Sequence, residues 1–171
     1  MRVRGASFSM SYNVLDVCRH VINYSNKQDY GISNLKLQKV LYFIQAYFLV
    51  QKKDHSPCFN EKIIAWDFGP IVLEAYNEYK QYGNGDIPTI KSFIMFDEDD
   101  IWKLKRVEFL DTSISDEDKF LIDKVVDKIA DYSATDLVSL TLRQSPWINA
   151  YVPCKDNEIT IDSIREYFNA E

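Results

Sequence analysis

The chain has 171 residues, of which 46% are hydrophobic, 14% aromatic and 27% charged. This length favours one domain with a core large enough to fold without disulfide bonds, and the composition excludes a disordered or low-complexity chain. The formal net charge of −6 argues against a protein that coats nucleic acid with a basic face. No apolar run reaches the roughly 18 residues of a membrane span, so we expect no membrane segment.

Three cysteines without paired spacing favour a reduced, cytoplasmic protein. The first nine residues, MRVRGASFS, carry two arginines and lack the apolar centre of a signal peptide. We interpret residues 1–9 as a disordered leader or tag, with Met10 as a plausible natural start. Residues 10–171 then form a single domain.

Helical spacing of apolar residues predicts a first amphipathic helix that begins near Val14 and ends in the polar stretch 23–31. A second helix is predicted from Ser33 or Asn34 to about Lys52. Its apolar side chains surround the axis almost completely, a pattern typical of a buried helix. We therefore expect this second helix to form the centre of the domain.

Residues 59–68 are aromatic and β-branched, which predicts a strand or an irregular extended segment. Gly69-Pro70 is expected to end it, and Pro70 suits the first position of the next helix. The predicted buried stripe of that helix comprises Val72, Ala75, Tyr76 and Tyr79.

Residues 87–111 are predicted to form one or two strands around an acidic run at 97–100. The remaining predicted elements are helices opened by Ser115, Ser133 and Pro146, an extended segment at 159–161 and a helix at 162–169. Together these elements predict a mainly α (α+β) fold. It is a single compact helical domain around a buried central helix, with a small β hairpin or sheet element.

Residues that could carry catalysis or bind a metal do not form a recognisable pattern. His20 and His55 are isolated, and His55 with Cys58 provides half of the ligands that a zinc site needs. The acidic run is typical of a solvated loop, because consecutive carboxylates of an extended segment point to opposite faces. Motifs for nucleophilic catalysis or phosphate binding are absent from the sequence. We therefore predict no catalytic residue, no metal, no cofactor and no enzymatic activity.

Four polar side chains lie early in the predicted central helix: Lys36, Gln38, Lys39 and Tyr42. In one interpretation the lysines extend to water and Gln38 satisfies a backbone group. In the other, these residues form a basic, sheltered spot that binds a carboxylate or phosphate of a partner. Trp66 is open to the same two interpretations, as a core residue or as a partner contact.

Three blocks of sequence are considered together because they resemble one known family in the same order along the chain. They are residues 32–42 (ISNLKLQKVLY), residues 65–72 (AWDFGPIV) followed by Tyr76 and Tyr79, and residues 140–147 (LTLRQSPW) with Ala150. Together they resemble the hallmark segments of the Panacea, or SocA-like, antitoxin domain, which also occurs in phage-associated proteins. The resemblance extends over about residues 14–168. The positions to which it assigns a structural role are Asn34, Leu37, Gly69, Pro70, Tyr76, Thr141, Pro146 and Trp147. Many relatives carry His where this chain has Leu142, so a role for that imidazole does not carry over.

The resemblance implies a cytoplasmic, mainly helical domain that neutralises toxins by direct contact, in some cases with linked proteolysis, and it supplies no catalytic residues. Residues 87–111 are individual to this chain. In a family whose partners vary, such a stretch is a natural place for partner choice. The aromatic side chains Phe93, Phe96 and Trp102 would then anchor the partner, since interface hot spots favour aromatic residues.

The favoured function is an antitoxin-like protein that neutralises a cognate protein toxin by direct binding, with linked proteolysis by protease machinery left open. An acidic chain suits a basic partner. The alternative is a phage or mobile-element regulator that binds nucleic acid, which Asp123, Asp127 and Asp131 oppose. A third hypothesis is an enzyme whose pocket is lined by the polar cluster of the central helix and Trp66.

Overall fold

Seven helices and five strands occupy residues 11–170, the part of the chain that this computed structural model describes. The helices are α1 (Val14–Lys27), α2 (Asn34–Gln51), α3 (Leu73–Tyr79), α4 (Asp116–Lys128), α5 (Ala134–Thr141), α6 (Ser145–Ala150) and α7 (Ile161–Asn169). The strands are β1 (Ile63–Trp66), β2 (Gly69–Val72), β3 (Ser92–Phe96), β4 (Leu104–Glu108) and β5 (Glu158–Ile159). The predicted leader at 1–9 and the start at Met10 lie outside the described residues. The mainly helical α+β fold is confirmed.

Helix α2 lies at the centre of the fold, as its all-round apolar pattern predicts. Most of its residues are buried, and it contacts α1, α3, α4, α5, α7 and β2. Ser33 is its cap, because the Ser33 Oγ accepts a hydrogen bond from the backbone N–H of Lys36 at 3.3 Å. Helices α1, α3, α4, α5 and α7 pack against this central element, whereas α6 packs on α7 and β5.

Strand β1 pairs with β2 on one side and with β5 on the other, and both pairings are antiparallel. Pro70 lies within β2 opposite Ala65, so its predicted place at the start of a helix is wrong; α3 begins at Leu73. Proline is tolerated here because β2 is the edge strand and a missing N–H breaks no ladder. Helix α2 covers this edge, where the backbone N–H of Val72 donates to Gln38 Oε1 at 2.9 Å.

Strands β3 and β4 form a separate antiparallel hairpin, which confirms the strands predicted in residues 87–111. Phe96 pairs with Leu104, so the acidic run lies in the connecting loop 97–103. In that loop Asp97 Oδ1 accepts from the backbone N–H of Asp99, and Asp100 Oδ1 accepts from that of Trp102, both at 3.0 Å. These local bonds define the turn that the loop makes.

The later helices begin close to their predicted caps. Ser133 and Asp136 form a reciprocal capping box at α5, whereas the Asp118 carboxylate at α4 accepts instead from Tyr12 at 2.5 Å and from Lys52 at 2.8 Å. Pro146 lies in the first turn of α6. In residues 11–170, no helix combines the length and the apolar character that crossing a bilayer requires.

Candidate partner-binding surface

The blocks of sequence that resemble the antitoxin domain meet around the buried amine of Lys39. Its side chain is 0% exposed, and Nζ donates to the Pro70 carbonyl at 3.0 Å. Burial lowers the pKa of Lys39 to about 7. Gly69 lies against it with φ +93°, and a Cβ there would stand 2.6 Å from Thr141 Oγ1 and 3.0 Å from Lys39 Cε. Glycine is therefore required by both conformation and space.

A chain of amides joins the start of α2 to β2 and α3. Asn34 Nδ2 donates to the Tyr76 carbonyl at 3.2 Å, and Gln38 Nε2 donates to Asn34 Oδ1 at 2.9 Å. Because Gln38 Oε1 also accepts from the backbone of Val72, both ends of this amide have partners. Gln38 thus satisfies a backbone group, as one of the two interpretations predicts.

Aromatic side chains of the same blocks link α6 to the β1–β2 turn. Trp147 Nε1 donates to the Trp66 carbonyl, and Trp66 Nε1 donates to Asp156 Oδ1, each at 2.8 Å. The Trp66 and Tyr76 rings meet edge to face with their centres 5.2 Å apart. Trp66 is half-buried in this arrangement rather than part of a free surface.

The polar cluster of the central helix is engaged within the chain. Lys36 is half-buried and its Nζ donates to the Ala130 carbonyl at 2.7 Å, while Tyr42 is buried and donates to Gln144 Oε1 at 2.9 Å. The interpretation in which both lysines extend to water is wrong for Lys39, because its side chain is fully buried. A partner would have to displace these contacts to reach Lys36, Gln38, Lys39 or Tyr42, so their role in partner binding stays a prediction.

A cavity of about 920 Å³ opens between the β1–β2 turn, α3 and α5. Gln38 and Trp66 reach its wall, but Lys36 and Tyr42 do not line it. The constellation required by the enzyme hypothesis is therefore not assembled there. Within the described residues, no group of three or more His, Cys, Asp or Glu side chains could hold a metal ion.

The β3–β4 hairpin presents apolar side chains to water. Ile94 and Phe96 of β3 and Leu104 of β4 share one side of the two-stranded sheet, and Ile101 and Trp102 follow in the loop. We call these five residues the hairpin face. Trp102 is 89% exposed and Phe96 is 63% exposed. Soluble domains rarely expose a contiguous group of this kind without a binding role.

Phe93 points to the opposite side of the hairpin. It is half-buried, and the Arg19 guanidinium stacks 3.6 Å from the centre of its ring. Of the three aromatic residues predicted to anchor a partner, Phe96 and Trp102 are therefore exposed, and Phe93 contacts α1 instead. All three keep that role as a prediction.

Polar residues of α1 hold the hairpin in place, which the sequence analysis missed. The Asn23 amide donates to the Ile90 carbonyl at 2.9 Å and accepts from its N–H at 2.7 Å. Asn26 Nδ2 donates to the Ile87 carbonyl at 3.0 Å. The sequence pattern predicts that the first helix ends in the polar stretch that begins at Asn23, but α1 continues to Lys27. Asn23 and Asn26 are three positions apart and so share one face of α1, and this spacing was the feature of the sequence that could have indicated the contact.

His20 binds the C-terminal end of the 87–111 segment at Asp111. Its Nδ1 lies 2.7 Å from Asp111 Oδ2 and its Nε2 lies 2.8 Å from Asp123 Oδ1. Burial opposes the charged ring, but hydrogen bonds to Asp123 and Asp111 outweigh it and raise the pKa of His20. Lys119 adds a second tie, because its Nζ donates to the Asp111 carbonyl. The hairpin is thus bound to the domain at its base, and no other element in residues 11–170 covers its outer side.

Comparisons with known proteins agree with the resemblance seen in the sequence. The profile of the family described as "Antitoxin SocA-like, Panacea domain" matches residues 37–148, which is more than half of the chain. Antitoxin SocA of Caulobacter vibrioides (strain NA1000 / CB15N) is 44% identical over 55 residues. That match spans 32% of this chain and 28% of the relative, so less than a third of the relative's length is covered. No solved structure matches the chain significantly.

Proposed function

This chain belongs to the SocA-like, Panacea-domain antitoxin family, and we propose from that premise that it neutralises a protein toxin in the cytoplasm by binding it directly through the hairpin face. An antitoxin family agrees with the prediction that the chain is not an enzyme. The observation that carries the proposal is the exposure of Trp102, Phe96 and their neighbours on an otherwise well-packed domain.

The hairpin has the physical character of a docking element. A two-stranded hairpin is marginally stable in water by itself. Here Phe93 on its inner side stacks on Arg19 of α1, and its base is bonded to Asn23 of α1 and Lys119 of α4. Its outer side lacks such cover among the described residues, so a partner would remove apolar surface from water there. Burying one large aromatic side chain removes roughly 150–250 Å² from solvent, which makes Trp102 and Phe96 the main anchors.

Charge around the hairpin face indicates a basic toxin surface. Four consecutive acids, Asp97, Glu98, Asp99 and Asp100, precede Ile101 and Trp102 in the loop. Complementary charge steers two proteins together and excludes wrong partners, while buried aromatic anchors supply most of the affinity. The loop therefore sets which toxin approaches, and the hairpin face holds it.

Linked proteolysis is a separate part of the proposal. An antitoxin that only binds leaves the toxin intact, whereas one that also presents it to a protease shortens the toxin's lifetime. We would stop protein synthesis and follow the toxin's half-life with and without this chain. A shorter half-life would support linked proteolysis, and an unchanged half-life together with rescued growth would restrict the mechanism to binding.

The test of the binding proposal is rescue of growth by co-expression with candidate toxins, including any encoded beside this chain. Ile94→Ser removes a hairpin-face side chain that is 57% exposed, and Ile148→Ser removes an equivalent side chain that is 53% exposed on α6. We expect Ile94→Ser combined with Phe96→Ser to abolish rescue and co-purification, and Ile148→Ser to preserve both. Equal rescue by all variants, or no rescue of any toxin, would contradict the proposal.

The nucleic-acid alternative is less well supported. Asp123 is hydrogen-bonded to His20, and Asp127 accepts from the hydroxyls of Tyr24 and Tyr30. These carboxylates therefore hold α4 against its neighbours and add negative charge where a phosphate backbone would approach. Salt-dependent binding of the purified chain to random duplex DNA would favour that alternative.

A further inference from the structure

A second apolar surface lies between α2, α4, α5 and α7. It is a groove of about 620 Å³ whose walls include Tyr47, Val50, Leu140 and Phe168. In the described part of the chain, its only charged lining residues are Lys124 and Lys128, four positions apart on α4 and hence on one face. These two lysines give the groove a positively charged lining on a chain whose net charge is −6. We call it the lysine groove.

The loop of the β3–β4 hairpin has the opposite charge and a matching apolar content. Its sequence, DEDDIWK over residues 97–103, places four acids directly before Ile101 and Trp102. The Asp100 carboxylate fixes the backbone of Trp102, and the side chains of Ile101 and Trp102 are 67% and 89% exposed. In a single copy the loop therefore does not reach the lysine groove.

We propose that the lysine groove of one copy of this chain receives the hairpin loop of a second copy. Trp102 and Ile101 enter between the apolar walls, and the acids of the loop meet Lys124 and Lys128. Two copies that exchange loops reciprocally form a closed pair with twofold symmetry. A second copy is favoured as the occupant because one chain carries both halves of this contact, complementary in charge and in apolar surface.

This contact has a consequence that rests on the proposed function. Trp102 belongs to the hairpin face, so a toxin and a second copy compete for it. Self-association then lowers the concentration of antitoxin available to bind, and toxin dissociates the pair by mass action. The pairing itself does not depend on a toxin and is measured in its absence.

The experiment is sedimentation velocity of the purified full chain, without toxin, over a range of concentrations. We expect monomers at low concentration and pairs at high concentration. Trp102→Ala and the double variant Lys124→Glu/Lys128→Glu should each weaken pairing by about tenfold or more, because each removes one half of the contact. The control Lys27→Glu/Lys155→Glu makes the same charge change at two exposed lysines outside both surfaces and should pair normally.

A mixing experiment makes the test specific. The variant Glu98→Lys/Asp99→Lys keeps the Asp100 carboxylate that fixes Trp102 and has a basic loop and a basic groove, whereas Lys124→Glu/Lys128→Glu has an acidic loop and an acidic groove. Each alone should pair about tenfold or more weakly than the wild type, but in a mixture both contacts are complementary, so pairing should return. Thermal melts monitored by circular dichroism check that each variant is folded.

Several results would overturn the proposal. They are a wild-type chain that stays monomeric at every concentration, pairing that is indifferent to Trp102 and to both lysines, or charge variants that fail to pair when mixed. Loss of toxin rescue in Lys124→Glu/Lys128→Glu on a monomeric background would assign the groove to the toxin instead. Failure of the proposed antitoxin function is distinguishable, because rescue depends on Ile94 and Phe96 and pairing is measured without toxin.

Discussion

The interior around α2 and the outer side of the β3–β4 hairpin invert the usual distribution of side chains. A lysine, two glutamines and a tyrosine are buried in the interior, while a tryptophan, a phenylalanine and two isoleucines face water on the hairpin. Each of these four polar side chains has a hydrogen-bond partner, as burial demands. On the hairpin the apolar groups lack cover among the described residues. The comparison teaches that the interior positions the strands, while the apolar outer side of the hairpin is the surface to which we assign binding in our proposal.

The largest expected effect tests the tight contact in the interior. Gly69→Ala places a Cβ against Thr141 and Lys39 and forces alanine into φ +93°. We expect a loss of about 3 kcal/mol in the free energy of unfolding, measured by urea denaturation. Gly83→Ala is the matched control, because Gly83 has φ +57° but no atom within 4 Å of an added Cβ. It should lose about 1–2 kcal/mol, the cost of the positive-φ conformation (φ +57°, ψ −127°) alone. Equal losses would contradict the close packing at Gly69.

The next effect concerns the buried amine. The folded-state pKa of Lys39 is about 7, below its ordinary value of 10.5, so between these two pH values the unfolded chain binds the proton more strongly. Folding is therefore penalised at neutral pH, and the penalty falls as the pH rises. We expect Lys39→Met to be about 2 kcal/mol more stable than the wild type at pH 7, after loss of the Pro70 hydrogen bond is included. The difference in unfolding free energy between the variant and the wild type should be smaller at pH 9. The same difference at both pH values would contradict this account.

A smaller effect tests how the hairpin is attached. The folded-state pKa of His20 is raised above 6.5, so its stabilisation is fully present below pH 6.5 and is lost as the pH rises through the folded value. His20→Gln should cost about 1 kcal/mol at pH 6 and less at pH 9. Amide hydrogen exchange should accelerate mainly in residues 87–111. Acceleration spread evenly over α2 as well would show that His20 stabilises the whole domain rather than the attachment.

The smallest effect on stability belongs to the hairpin face. Because Trp102 is 89% exposed, Trp102→Ala should change the free energy of unfolding by no more than about 0.5 kcal/mol. The same variant should lose toxin binding, which separates the role of this residue from folding. A large loss of stability would instead place Trp102 in the fold and remove the distinction between the two regions.

Sequence patterns predicted those features of the fold that depend on the residues within one helix or strand. The all-round apolar content of α2 predicted its central place, and Ser33 and Ser133 predicted caps that the structure contains. Gln38 and Gln45 are seven positions apart, a spacing that puts both on one face of α2. Each amide serves a strand or loop backbone, at Val72 for Gln38 and at Cys58 for Gln45.

The rest depended on contacts between distant residues. Pro70 suits a helix start as well as an edge strand, and only the cover by α2 distinguishes the two. Lys39 was expected near water because lysine extends readily, but the neighbouring elements close over it. Asn23 is hydrogen-bonded to Ile90, 67 positions away, and the spacing of residues within α1 does not predict that partner.

The central claim is that the toxin binds the outer side of the hairpin. The most direct measurement is amide hydrogen exchange of the co-purified complex, compared with the free chain. We predict new protection concentrated in residues 94–104, with little change in α2, whose amides are already protected in the free chain. Protection confined to the N-terminal end of α2 and the β1–β2 turn, with residues 94–104 exchanging as in the free chain, would contradict the account.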